Sequence, residues 1–180
     1  MTKTMPNIII LLGSTREGRA GEGVAHWVTK LAAERADFSS ELVDLRDWPL
    51  PFFGSKILPG SPDYKPEGIL AKWAEKIASA DGFIIVTPEY NHGYPGVLKN
   101  AMDHLYREWN QKAIAFVSYG GSAGGARSVE QLRQVAIEFQ MAPIRAGIHI
   151  TSVWQALGED GAPKDPSYAK GLGALFDQLV

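Results

Sequence analysis

The stretch "VSYGGSAGGAR", Val117–Arg127, contains Gly120-Gly121-Ser122-Ala123-Gly124 and so satisfies G-x-S-x-G. That pattern marks the strand-to-helix turn that presents the nucleophile of many serine hydrolases. The same composition also suits a cradle, in which bare backbone amides hold a ligand. A hydrolase of the α/β type needs an acid and then a histidine beyond the serine. After Ser122, Glu130 and Glu138 fall in the helix directly following the turn, and His149 lies within a strand between Ile148 and Ile150. Only one further strand fits after the turn, which leaves no later loop for the triad partners. Amides of Ser118, Tyr119, Gly120 and Gly121, aimed at the polar rim of a flat ligand, fit the same residues without a missing triad. The cradle is favoured, and a serine esterase using Ser122 is kept as an alternative.

Working outward, "AIAFVSY" (Ala113–Tyr119), "GFIIVT" (Gly82–Thr87) and "NIIILLG" (Asn7–Gly13) are continuous apolar runs, the pattern of strands buried on both faces. "SELVDL" (Ser40–Leu45) and "IRAGIHI" (Ile144–Ile150) are more polar strands, interrupted by Glu41, Asp44, Arg145 and His149. Between strands, Val24, Trp27, Val28 and Leu31 recur with helical spacing. So do Val97, Leu98, Ala101, Met102 and Leu105, then Val129, Leu132, Ala136 and Phe139, and finally Leu172, Leu175, Phe176 and Leu179. Strands alternating with helices predict a five-stranded parallel sheet covered on both faces. Placing the three most apolar strands centrally gives the order 2-1-3-4-5, a flavodoxin-like α/β sandwich.

The 180 residues suit a single domain, 1–180, that buries roughly 70% of its unfolded surface. A net charge of −2, with no basic stripe, argues against nucleic acid as a partner. The absence of cysteine excludes thiol catalysis and thiolate metal sites. His26, His92, His104 and His149 lack ligand spacing, so no metal is expected. No apolar run reaches membrane length and no secretory cleavage signal follows the first one, which predicts a cytoplasmic protein without membrane partners.

Three polar, glycine-rich loops fall at strand carboxyl ends, where open parallel sheets bind ligands. In the first, Gly13–Gly21, a strand leads into a helix N-terminus, whose unsatisfied amides favour an anion. Ser14, Thr15, Arg16 and Arg19 add hydroxyls and charge, while Arg19-Ala20 stands where a nucleotide-hydrolysing P-loop needs Lys-Ser/Thr. A phosphate monoester is the natural guest. In the second, Thr87–Gly96, two prolines stiffen the chain and Tyr90, His92 and Tyr94 supply rings for a planar ligand. His92 can be a plain loop histidine, and the backbone of Glu89 can matter more than its carboxylate. One segment breaks the αβ rhythm: Arg46–Pro66 holds five prolines and two glycines together with Trp48, Phe52, Phe53 and Tyr64. It either packs onto the domain or a second subunit, or covers the site as a lid.

Together "GSTREGRAGEGVA", "TPEYNHGYPGVLKNAMD" and "SYGGSAGGAR" resemble the NADPH-dependent FMN reductase family, the flavodoxin-like group that includes quinone and chromate reductases and some azoreductases. The most specific part is P-E-Y-N-x-x-x-P-G-x-L-K-N-A-x-D. The resemblance implies tightly bound FMN, with NADPH or NADH as donor and quinones, chromate, azo or nitro compounds as acceptors. It implies two half-reactions at one site, in which the flavin is first reduced by NAD(P)H and then reoxidised by the acceptor. By position it assigns Ser14 and Arg16 to the phosphate loop, beside Thr15, and where the family usually has Ser or Asn stands Arg19-Ala20-Gly21, so that the phosphate either gains Arg19 or rests on amides. Pro88, Glu89, Tyr90 and Asn91 run along the ring and ribityl chain. Ser118, Tyr119, Gly120 and Gly121 bracket the pyrimidine side, and His92 and Tyr94 lie near the acceptor face. No side chain need act as catalytic acid or base. The resemblance further implies a homodimer or homotetramer, with the helix Leu98–Trp109 near the interface. A flavodoxin-like electron carrier is the competing class, although such carriers are strongly acidic.

Overall fold

The computed structural model describes residues 5–180; residues 1–4, at the head of the expected domain, lie outside the described residues. Strands β1 (Asn7–Leu12), β2 (Ser39–Asp44), β3 (Gly82–Pro88), β4 (Ala113–Tyr119) and β5 (Ala142–Ile150) form one sheet in the order β2-β1-β3-β4-β5. Every neighbouring pair is parallel. The flavodoxin-like order expected from strand polarity is therefore the observed one. β3 is buried at every residue, whereas β2 and β5 at the edges carry half-buried and exposed positions.

The helices are α1 (Gly21–Ala32), α2 (Ile69–Ala78), α3 (Gly96–Asp103), α4 (Ala126–Glu138), the single turn α5 (Val153–Ala156) and α6 (Pro166–Leu179). Because the pleat sends alternate side chains to opposite faces, each central strand feeds two cores. Ile8, Ile10, Leu12, Ile84, Val86, Ala115 and Val117 meet α1 and α6 on one face. Ile9, Leu11, Phe83, Ile85, Ile114 and Phe116 meet α2, α3 and α4 on the other.

Two elements differ from the sequence expectation. α2 lies outside the sequence expectation: it follows the proline-rich segment, and its signal is only Ile69, Trp73 and Ile77 at spacings of four. Tertiary packing fixes it, with Trp73 and Ile77 fully buried and the Trp73 indole donating to the Ala101 carbonyl at 2.9 Å. α3 ends at Asp103, short of the expected Trp109. Beyond it the chain tightens into turns in which the amides of Leu105 and Trp109 reach back three residues, to Met102 and Tyr106.

The Arg46–Pro66 segment packs on its own domain. Asn100 of α3 donates to the Pro51 carbonyl (2.9 Å) and accepts from the Phe53 amide (2.8 Å). His104 contacts the same Pro51 carbonyl at 2.8 Å, and the Tyr64 hydroxyl donates to the His104 carbonyl at 2.9 Å. Trp48 packs on Trp73 with ring centroids 4.9 Å apart.

Candidate functional site

A cavity of about 320 Å³ opens at the carboxyl edge of the sheet, lined by Arg16, Ala20, Pro88, Glu89, Tyr90, Tyr119, Gly120, Gly121, Val153 and Trp154. All three expected loops contribute to it, and its size falls within the range of small-ligand sites. A second cavity, of about 350 Å³, lies under the proline-rich segment between Phe53, Leu58, Leu105 and Phe139. It shares no lining residue with the first and is predominantly apolar.

The first loop is a tray of donors. The amides of Ser14, Thr15 and Gly18 have no hydrogen-bond partner among the described residues, and Ala20, which precedes α1, provides no side-chain cap. Arg16 is exposed on the cavity wall, its guanidinium donating to the carbonyls of Glu17 and Gly18. Arg19 lies elsewhere. Its buried guanidinium pairs with both carboxylate oxygens of Asp44 and with the Ser14 carbonyl, so it braces the loop from beneath and does not line the cavity. Burial alone would raise the Asp44 pKa, but the Arg19 hydrogen bonds and the Arg46 amide outweigh it and hold the carboxyl below its usual value. Arg46 adds a second brace, donating to the carbonyls of Thr15 and Arg16.

Side chains that the sequence placed in one loop turn out to join two. The Ser14 hydroxyl, fully buried, meets the Tyr90 hydroxyl at 2.7 Å and ties the first loop to the second. Glu89 joins the second loop to the third: its carboxylate, 7% exposed, pairs with the Arg127 guanidinium and accepts the Arg127 amide at 3.2 Å in the first turn of α4. The carboxylate, as well as the backbone, therefore matters. Between these anchors the chain reverses tightly. Tyr90 and Gly93 exchange backbone hydrogen bonds of 2.8 and 3.1 Å, while Asn91 and His92 take φ of 51° and 70°. Gln131 holds the turn by donating to the His92 carbonyl at 2.9 Å. Asn91 and His92 are exposed at the tip, and Tyr94 packs half-buried against the α2–α3–α4 core.

In the third loop the amide of Gly120 is already spent on the Ile150 carbonyl (3.1 Å), which removes it from the expected cradle. The amides of Gly121, Ser122 and Ala123 lack partners among the described residues, so the bare donors begin one residue later. Ser118 is also structural: its hydroxyl donates to the Gly124 carbonyl and meets His149 Nδ1, each at 2.7 Å. Gly124 and Gly125 have φ of 58° and 84°; a Cβ on Gly125 would collide with Ser118, and one on Gly124 would press on the His149 backbone. The histidine expected in a hydrolase triad is thus engaged by Ser118, while Ser122 is exposed in the turn.

These features fit FMN. Tyr119 is 4% exposed, and its buried hydroxyl has no hydrogen-bond partner among the described residues. It lies where a Cβ on Gly21 would collide with it, at the uncapped start of α1. Burial pushes its pKa up, so the proton stays on. Gly121 faces open space, and the donors of the first loop match an anion. Ala20, Val153 and Trp154 were missed from sequence. Val153 and Trp154 follow a strand read as an edge, and nothing local marks them as cavity residues.

Comparison with known proteins agrees. Residues 6–155 match the model of the NADPH-dependent FMN reductase family. The chain is 45% identical over 147 residues to an NAD(P)H-dependent FMN reductase of Schizosaccharomyces pombe, covering 79% of this chain and 72% of that one. It is 36% identical over 135 residues to a quinone reductase of Escherichia coli, covering 72% and 69%. For the fold, an NAD(P)H:(acceptor) oxidoreductase of Paracoccus denitrificans superposes with a TM-score of 0.74 at 24% identity, over 96% of this chain and 93% of that one. The three loops, the sheet that carries them and these likenesses place the chain in the NADPH-dependent FMN reductase family.

Proposed function

We propose that this FMN-dependent NAD(P)H oxidoreductase passes electrons to quinones and similar electron-poor acceptors. The observation that carries it is the convergence of three loops, rich in unpartnered amides, on one cavity. Bound FMN would supply the redox chemistry, taking two electrons from NAD(P)H and passing them to the acceptor. The chain's own groups position it. Amides of Ser14, Thr15 and Gly18, with Arg16 and the start of α1, would hold the phosphate. Amides from Gly121 to Ala123 would face the developing negative charge of the reduced ring. Pro88, Glu89 and Tyr90 would form the wall beneath it, while His92, at the tip of the turn, does not line the cavity. Arg19, Ser118 and the Glu89 carboxylate act as braces for these loops. The quinone assignment leans on the Escherichia coli relative and on a Solanum tuberosum NAD(P)H:quinone oxidoreductase, 36% identical over 131 residues.

The same proposal covers one flavodoxin-like domain, cytoplasmic and associated as a homodimer or homotetramer. Association is supported by exposed Phe52, which lines a groove with Leu50, Gly96, Val97 and Asn100, and by exposed Leu58, which lines the second cavity. Among the described residues no helix is long and apolar enough to cross a membrane. The test is the visible spectrum of the purified protein. A yellow protein that bleaches with NADPH under anaerobic conditions and recolours with a quinone supports the proposal. A chain that neither takes up FMN nor oxidises NADPH overturns it.

A further inference from the structure

Five tryptophans occur in the chain, and four serve the interior. Trp27, Trp73 and Trp109 are at most 8% exposed, and Trp48 packs on Trp73. Trp154 differs: it is 79% exposed and lines the carboxyl-edge cavity. An indole left in water gives up the apolar stabilisation that burial would supply, and any polar residue would complete the exposed face of α5 as well.

The backbone beneath Trp154 is held firmly. The amides of Ser152 and Val153 donate to the carbonyls of Gly121 and Gly120, at 2.9 and 3.0 Å, and the Gly120 amide returns a bond to Ile150. Val153 is 2% exposed and anchors α5 in the α1–α6 core. Ser152 occupies the left-handed region at φ 46°, a conformation costly for a residue with a Cβ, held here by those flanking bonds. The indole therefore stands on the same frame as the glycine loop. The cavity's other exposed ring, Tyr90, belongs to the second loop.

We propose that Trp154 is an aromatic wall of the cavity that stacks on the flat isoalloxazine ring of FMN and so retains the cofactor. The assignment rests on the FMN reading above. Isoalloxazine is planar and electron-poor and indole is electron-rich, the combination that favours face-to-face or offset contact. Trp154 is a positioning residue: it holds no proton and takes no part in bond making.

The test is affinity of the flavin-free full-length chain for FMN and for riboflavin, with W154A and W154F beside the wild type. Aromatic stacking is worth about a tenfold change in affinity. W154A should therefore weaken both flavins about tenfold, and by the same factor, because the contact is with the ring and not the phosphate. W154F should stay within about threefold of the wild type. Unchanged flavin affinity in W154A, with wild-type FMN binding intact, overturns the role of Trp154 and leaves the flavoenzyme assignment standing. A change in sedimentation of W154A without a change in flavin affinity also overturns it and makes the indole a subunit contact. Loss of FMN affinity alone, with riboflavin unaffected, contradicts ring stacking. A wild-type chain that binds neither flavin removes the FMN reading itself and the proposal with it.

Discussion

Tyr119 and His92 show how single residues at this site give up stability. A buried hydroxyl without a partner costs the chain its desolvation, about 1–3 kcal/mol for such a group. Tyr119→Phe removes that group and keeps the ring in the core. Urea unfolding of the flavin-free protein should show stability unchanged or raised by about 1 kcal/mol. A loss of comparable size would mean that the hydroxyl is satisfied in solution. His92 sits at φ 70° in a turn whose two central residues are both left-handed. Glycine meets that geometry without cost, whereas a β-branched side chain is an outlier there. His92→Val should therefore lose about 1–2 kcal/mol, and His92→Gly should not, as measured by the same unfolding curves.

Between elements, side chains stitch three loops into one wall, and the Glu89–Arg127 pair ties the second loop to the third. It spans the gap from the end of β3 to the first turn of α4, with Glu89 nearly buried and Arg127 half-exposed. Removing one partner from a buried pair leaves a charge without compensation, but exposure of the arginine moderates the penalty. Glu89→Ala should cost about 1–3 kcal/mol in urea unfolding and loosen flavin binding, because the second loop loses its tie to the third. Glu89→Gln should fall between the two, since its amide oxygen still accepts from the Arg127 backbone. Equal stability of Glu89→Ala and wild type would show that the pair does not hold the loops.

At the scale of the whole molecule, the β4–β5 seam is where acid sensitivity is expected. His149 lies half-buried on the edge strand, and burial, then the nearby Arg133, depress its pKa below the usual 6.5, with Glu130 opposing. Its ring meets Ser118, and its carbonyl lies 3.5 Å from the Tyr168 hydroxyl. In the unfolded chain His149 takes its proton near pH 6.5; in the folded chain it does so only at lower pH. Stability should therefore be level above about pH 7 and decline as the pH falls through 6.5 towards the folded pKa. Thermal midpoints from pH 8 to pH 5 should show this decline, and His149→Gln should flatten it. Asp44, held below its usual 3.8, adds its own loss only at still lower pH. A profile unchanged by His149→Gln would assign the decline to other groups.

The pattern of residues along the chain determined the sheet order and the three loops that line the cavity, because both follow from local properties. Unbroken apolar runs such as Ile8–Leu12 can be buried only in central strands, and Gly, Pro and Ser clusters at strand ends carry their turn chemistry with them. Only the tertiary structure decided what each polar side chain does. Arg19 found Asp44, which lies 25 residues away, and Glu89 found Arg127, 38 residues on, once the parallel register had set those loops side by side. Trp154 reached the cavity because β5 pairs with β4 and its last turn bonds back to Gly120 and Gly121. A guanidinium, a carboxylate or an indole takes its role from whatever partner the fold brings within about 3–4 Å, and that partner is not written in its sequence neighbours.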